Sequence, residues 1–413
     1  MTEAETTNAR RDSAAAAPGA GALEGVTVLD LTRVLSGPYC TMMLADMGAR
    51  VIKVEQPGKG DDTRAWGPPF QEGESAYFLS INRNKESVTL NLKHPDGRRI
   101  LDALIARADV LVENFRPGTL DRMGLGYADL AARHPALVYC SISGFGQTGP
   151  RRREPGYDAV LQGEGGLMSI TGSDDGPGYR LGVAIADIAS GMFSAFGVAV
   201  ALLARHRTGR GQLVDVAMLD AVAALLTYQA GIYFATGTAP ERLGNRHPTI
   251  TPYETLEAAD GDLVVAAGND QLWRTFCGVL GLDALADDPR FRTNRDRVSA
   301  RAELHAILVE RLRTRPAAEW LAELKAAGVP CGGVRDLAEV FSDPQIVERA
   351  MVIASEHPVA GAIRQLGVPV KLRDTPGAVR TPPPVLGQHT RDVLGELGYG
   401  DAEIEGFHAA GAV

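Results

Sequence analysis

Between residues 26 and 143 short apolar runs alternate with helical stretches, and no other feature of the chain constrains its fold as strongly. Residues 26–31 read as a buried strand, 38–47 as a helix with Pro38 in its first turn and Gly48 behind its last, and 51–55 as a second strand. Further strands are expected at 87–92, 110–114 and 137–143, with a helix over 95–108. Strands that alternate with helices need crossover connections, so they assemble into a parallel sheet covered on both faces. The expected fold class is α/β, with a doubly wound, Rossmann-like large domain whose ligands sit beyond the carboxyl ends of the strands.

The pattern changes further on. An uncharged run at 188–204 reads as a buried core helix, being short for a bilayer span and rich in Gly, Ala and Ser. A strand at 213–216 and a helix at 219–228 follow, then a Gly/Pro/Thr-rich stretch at 236–252 and a hairpin, 253–258 with 263–267, around Asp260-Gly261. Amphipathic helices are expected near 299–313 and 316–327. The domain reading is therefore a tail at 1–21, a large domain at 22–228, a smaller α+β domain at 229–340 and a segment at 341–413 returning to the large domain.

Lys and Arg total 42 against 51 Asp and Glu, a net charge of −9, which argues against a nucleic-acid partner. An anionic ligand must then be met by a local basic cluster, and Arg33, Arg116 and Arg122 fall behind expected strands where one would serve. The four cysteines form no C-x-x-C pair, and the N-terminal residues carry no apolar signal core, so a reducing cytoplasm is expected and no membrane. The eight histidines show no metal-ligand spacing, so no metal is expected.

Two motifs have competing readings. Gly144-Phe-Gly-Gln-Thr-Gly149 matches a dinucleotide fingerprint, but Pro150, Arg151, Arg152, Arg153 and Pro155-Gly156 follow where a helix should open, so a Gly-rich active-site loop is the better reading. Asp187, at the head of the apolar run, is either a helix cap or first-turn residue complementing the helix dipole, or a carboxylate nucleophile in an apolar, Gly-lined pocket. Spacing alone leaves both open.

Leu29-Asp-Leu-Thr-Arg-Val-Leu-Ser-Gly-Pro38, Gly48-Ala-Arg-Val-Ile-Lys-Val-Glu55, Asn82-Arg-Asn-Lys85, Val112-Glu-Asn-Phe-Arg-Pro-Gly118, Ser141-Ile-Ser-Gly-Phe-Gly-Gln-Thr-Gly-Pro150 and Thr208-Gly-Arg-Gly-Gln212 occur in order. Together with Gly328-Val-Pro-Cys-Gly332 and Leu386-Gly-Gln-His-Thr390, this set resembles the class III coenzyme A transferases, a group that also holds α-methylacyl-CoA racemases.

The resemblance implies that Asp187 is the catalytic nucleophile, passing through an aspartyl anhydride and an aspartyl-CoA thioester, with CoA thioesters and carboxylates as substrates and no permanently bound cofactor. It implies that Arg33, Val34, Asn114, Phe115 and Arg122 contact CoA, and that Gly268-Asn-Asp-Gln271 closes over the nucleophile; the plainer reading of that loop is a helix-start turn capped by Asp270. It also implies an intertwined homodimer. A racemase needs a second base, and where racemases carry a histidine this chain has Tyr157, whose unperturbed pKa near 10 suits a base poorly. The oxalate-using member has a glutamine at the position of Leu35, and the Gly-Asn-Asp-Gln loop is closer to enzymes that move CoA between dicarboxylates. Arg180 and Arg246 are then candidates for a distal carboxylate, and a catalytically silent CoA-binding protein is the remaining alternative.

Overall fold

The computed structural model describes residues 21–413, so the expected tail lies outside the described residues except for Gly21. The described residues form two compact units, one made of 21–158, 185–221 and 348–413, the other of 159–184 and 222–347. The second unit thus differs from the expected 229–340: residues 159–184 pack against Val222 and Leu226 through Gly165 and Gly166 and go with them.

In the first unit β1 (Thr27–Asp30), β2 (Arg50–Glu55), β3 (Lys85–Thr89), β4 (Val110–Glu113), β5 (Val138–Ser143) and β6 (Leu213–Ala217) form a six-stranded sheet ordered 3-2-1-4-5-6, with every pair parallel. That is the Rossmann order, and its winding reverses between β1 and β4. Leu29 sets the register, lying beside Ile52 on one side and Leu111 on the other. Every residue of β4 and β5 is buried, which is why these strands read as continuous apolar runs rather than alternating ones.

The helices that cover this sheet and position the site are α1 (Ser36–Asp46), α2 (Ala76–Ile81), α3 (Pro95–Arg107) and α4 (Ile185–Thr208). α3 shows the local logic plainly: Pro95 opens it, Asp96 favours its positive end, and Ile100, Leu101, Leu104 and Ile105 repeat on one buried face. α4 overruns the expected 188–204 by a few residues at each end. It buries a small-residue face, including Ala189, Ser190, Ser194, Ala195 and Val198, and packs on α1. A Cβ on Gly191 would lie 2.7 Å from the Ser36 carbonyl oxygen, so only glycine lets the two helices approach this closely. The opposite face is not core: Phe196 and Leu203 are 69% and 66% exposed, so the expected buried core helix is buried on one face only. By length and composition it is apolar enough to cross a bilayer, a test that core helices of soluble proteins also pass.

The expected helix at 219–228 is two helices, Met218–Leu225 and Thr227–Thr236, bent by 75°, because Thr227 takes φ +36°, which a continuous helix does not permit. In the second unit β7 (Tyr253–Glu257), β8 (Asp262–Ala266) and β9 (Cys331–Gly333) form an antiparallel sheet ordered 9-8-7. Leu256, Leu263 and Val265 from that sheet meet Trp273, Phe276 and Leu280 of α5 (Asp270–Leu280), and helices at Arg301–Leu312 and Ala317–Ala326 complete the core with Leu308 and Trp320.

Residues after 348 rejoin the first unit with a hairpin, Val352–His357 paired with Gly361–Leu366, and with α6 (Thr390–Glu396) and α7 (Asp401–Ala409). Val393, Leu394, Ile404, Phe407 and Val413 enter the same core as Ile100, Leu104 and Leu111. Ser87 of β3 donates its amide to His389 Nδ1 (3.1 Å), and Thr89 donates to Thr390 Oγ1 (3.0 Å), closing that edge of the sheet.

Candidate active site

Asp187 lies in the first turn of α4, yet it does not cap the helix. The Ala186 amide donates instead to Asp158 Oδ1 at 2.9 Å, so the capping role weighed for Asp187 belongs to Asp158. The Asp187 carboxylate shares its cavity with Ser36 at the start of α1, whose hydroxyl and amide draw its pKa down. α1 begins with Leu35 at its cap position and no side-chain cap, which leaves first-turn N–H groups for that carboxylate.

Burial pushes the Asp187 pKa up to about 7, the neighbouring Asp158 carboxylate adds to the rise, and the Ser36 donors oppose it. Among the described residues no lysine or arginine contributes to its shift. Tyr77 of α2 is within the same field: burial first, then Asp187, Asp158 and Asp61, push its hydroxyl up to about 12. Its ring meets Trp66 edge-on at 5.3 Å.

Asp187 opens into a cavity of about 170 Å³ bounded by Arg33, Val34, Asn114, Phe115, Gly144 and Tyr157. The cavity sits at the carboxyl ends of β1, β4 and β5, where the sheet winding reverses. Asn114 brackets the Arg33 peptide, accepting from its N–H at 2.9 Å and donating to its carbonyl at 2.7 Å, and the Arg33 guanidinium lies 5.3 Å from the Phe115 ring centre. A second cavity of about 310 Å³ shares Arg33 and Phe115 and adds Lys53, Gln56, Leu90, Leu92, Lys93, Thr119 and Met123.

Of the residues singled out from the sequence, the structure brings Arg33, Val34, Asn114, Phe115 and Asp187 to one cavity, with Arg116. Arg122 borders neither cavity; its guanidinium donates to Thr119 Oγ1 at 3.4 Å. Gly268, Asn269, Asp270 and Gln271 belong to the second unit. There Asn269, not Asp270, caps α5, accepting the Leu272 amide at 2.8 Å, while Asp270 pairs with the buried Arg297 at 2.9 Å. Arg246 is engaged by Asp174, and Arg180 donates to the Leu181 carbonyl at 3.2 Å.

Gly144 follows β5, and no helix opens until Asp158, so the glycine motif is a loop lining the cavity. Behind it lies a network the sequence did not announce. Glu113 accepts the Phe115 amide at 2.8 Å and bonds to the Ser141 hydroxyl, which accepts from Gln147 Nε2 at 2.7 Å. Burial pushes the Glu113 pKa up to about 7 against these hydrogen bonds. Ser36, Tyr77 and Asp158 were likewise missed as site residues; the one available signal was the Ser-Gly-Pro that starts α1.

A doubly wound sheet with a carboxylate, a basic side chain and an aromatic ring at its switch point defines a ligand-binding α/β protein, and the comparisons say of which class. Residues 23–390 match the model of CoA-transferase family III. The chain is 46% identical over 392 residues to a succinyl-CoA:glutarate CoA-transferase of Mus musculus, covering 95% of this chain and 90% of that protein. It is 46% identical over 353 residues to an acetyl-CoA:oxalate CoA-transferase of Acetobacter aceti, covering 85% and 89%. A CAIB/BAIF family protein from Brucella suis has the same fold with a TM-score of 0.82 and 43% identity, covering 92% of this chain and all of that one. The chain belongs to the family III CoA-transferases. It is an enzyme of CoA transfer, with CoA thioesters as its substrates.

Proposed function

We propose that the enzyme moves CoA from succinyl-CoA or another dicarboxylyl-CoA to a carboxylic acid, with Asp187 as nucleophile. The carrying observation is the Asp187 carboxylate itself: released from capping, beside Ser36, without a cationic partner among the described residues, and with its pKa pushed up to about 7 in the cavity. A carboxylate of raised pKa is a better nucleophile than an ordinary one, and with a pKa of about 7 roughly half of it is ionised at neutral pH. The named activity of the Mus musculus relative supports a dicarboxylyl donor, and that of the Acetobacter aceti relative supports a dicarboxylate acceptor.

In this reading an Asp187 oxygen attacks the thioester carbonyl, the C–S bond breaks, and CoA thiolate leaves an aspartyl anhydride. The thiolate attacks the Asp187 carbonyl carbon and expels the donor carboxylate, forming an aspartyl-CoA thioester. The acceptor carboxylate attacks that thioester to give a second anhydride, and the thiolate then takes the acceptor's carbonyl carbon and frees Asp187. Each step exchanges one activated acyl group for another, so no ATP is consumed. The Ser36 amide and hydroxyl are placed to stabilise charge as it shifts on the Asp187 carboxyl. Arg33, Val34, Asn114 and Phe115 hold the CoA chain, and the 310 Å³ cavity with Lys93 takes its nucleotide end.

The exposed apolar face of α4, with Phe196 and Leu203, supports a homodimer in which a second copy covers it; sedimentation should then give twice 43.8 kDa. The four cysteines are free, which supports a reducing cytoplasmic setting. The mechanism is tested by incubating enzyme with succinyl-CoA and hydroxylamine and mapping the modified peptide. A hydroxamate on Asp187 is expected. Turnover with no label on Asp187 overturns the nucleophile, and α-deuterium exchange in a branched acyl-CoA without transfer would favour the racemase reading.

A further inference from the structure

The loop that leads from β1 into α1 carries the most unusual backbone of the site. Val34 takes φ +70°, a left-handed conformation that a β-branched residue adopts only under constraint. One residue later comes Leu35 at the α1 cap position, and then Ser36, which lines the same cavity as Asp187 and bears on its carboxylate. The direction in which the chain leaves Val34 therefore sets where the Ser36 donors point.

The constraint on Val34 is visible. Thr32 gives its carbonyl to Lys53 Nζ at 2.9 Å, and Asn114 clamps Arg33 on both sides. The Val34 amide itself donates to Asp61 Oδ1 at 3.2 Å. Asp61 has no exposed side-chain surface, and its other oxygen receives Lys53 Nζ at 2.9 Å, so it is a fixed acceptor. It is further pinned by the Thr63 amide and hydroxyl, at 3.0 and 2.8 Å. Asp61 lines the larger cavity but is absent from the residues around Asp187, so it cannot act there by touch.

We propose that Asp61, anchored by Lys53, is a positioning residue for transfer: it holds Val34 left-handed and thereby aims the start of α1 at Asp187. The inference rests on Asp187 being the nucleophile. A misplacement of about 1 Å at a reacting centre costs on the order of 100-fold in rate, which is the scale expected for losing the clamp. Glycine reaches φ +70° without strain, so it keeps the path of the loop when the clamp is gone.

The test is the set Asp61→Ala, Val34→Gly and D61A/V34G, measured as kcat at saturating succinyl-CoA and glutarate per mole of folded enzyme, so that lost stability alone does not register. D61A is expected to lose roughly 100-fold, and adding V34G to recover at least a tenfold part of that loss. A D61A enzyme within threefold of the wild type, or a double variant no faster than D61A, overturns the proposal. Should D61A fail to fold because Lys53 is left buried alone, D61A/K53M with and without V34G makes the same comparison, and the same recovery is required. D187N is measured alongside. If D187N still transfers CoA, the nucleophile reading falls and takes this inference with it; if D187N is inactive and V34G rescues nothing, only this inference falls.

Discussion

Two sets of buried carboxylates sit at the carboxyl ends of the same sheet and titrate in opposite directions. Around β1, β2 and β3, Asp61 pairs with Lys53 at 2.9 Å, Asp30 with Lys85 at 3.3 Å and Glu55 with Arg64 at 2.7 Å. Burial alone would raise all three acids, but the adjacent cations hold Asp30 and Glu55 below the usual range and bring Asp61 down to about 2. Across the switch point Glu113 is buried and Asp187 partly so, both have hydroxyl and amide donors nearby in place of cations, and both rise to about 7. Burial is common to both sets; the partner decides. Where a cation is present the carboxylate is a permanent anchor for backbone, and where none is, it can change its charge or its bonding during turnover.

The largest break in this comparison is Asp187→Asn, which removes the proposed nucleophile. Transfer should fall by roughly 10⁴-fold or more while CoA binding persists, as judged by turnover and calorimetry. Next comes Lys53→Met, which strands Asp61 as an unpaired buried charge. Chemical denaturation should show a loss of about 3–5 kcal/mol, because the attraction is removed and the desolvation cost remains.

Glu113→Gln sharpens the contrast at smaller scale. Glu113 has a folded pKa near 7 against an ordinary 4.5, so its stabilising contribution is complete below about 4.5 and is lost as pH rises through 7. The amide cannot ionise, so E113Q should lose less stability than the wild type between pH 5 and 8 in parallel melting curves. The smallest effect is expected from Asp158→Asn. Ionisation of Asp187 sets an acid limb in kcat/KM near pH 7, and removing the like charge should move that limb down by less than a unit, since burial is the larger cause of the shift.

The sheet was legible because its strands are buried on both faces, and continuous apolar runs such as 110–113 and 138–143 register in one dimension. Asp187 was legible as a first-turn residue, and the motifs carried Arg33, Asn114 and Phe115 to it. What stayed hidden is what depends on contacts distant in sequence. Asp158 and Asn269 take the caps that adjacency suggested for Asp187 and Asp270, because local spacing cannot say which of two nearby acceptors points at an amide. The strain at Val34 is set by Asp61, 27 residues away, and nothing in a β-branched residue announces a left-handed backbone. Cys40 and Cys140, scattered in sequence, come together in the core as free, buried thiols. The exposed side of α4 was hidden for a different reason: an apolar run looks the same whether its covering surface comes from its own chain or another.

The seam between β3 and α6 has a consequence for how the protein is made. Ser87 meets its partner His389 across 302 residues of chain, and Val393, Leu394, Ile404 and Phe407 fill the core under the sheet. At about 5–20 residues per second, roughly 15–60 s separate synthesis of that strand from arrival of the segment that covers it. Most of the second unit lies in one continuous stretch, 222–347, and emerges within that interval. A ribosome carrying this chain therefore presents an open β3 edge for much of translation, and the cell's holding chaperones have their longest claim on the nascent protein there.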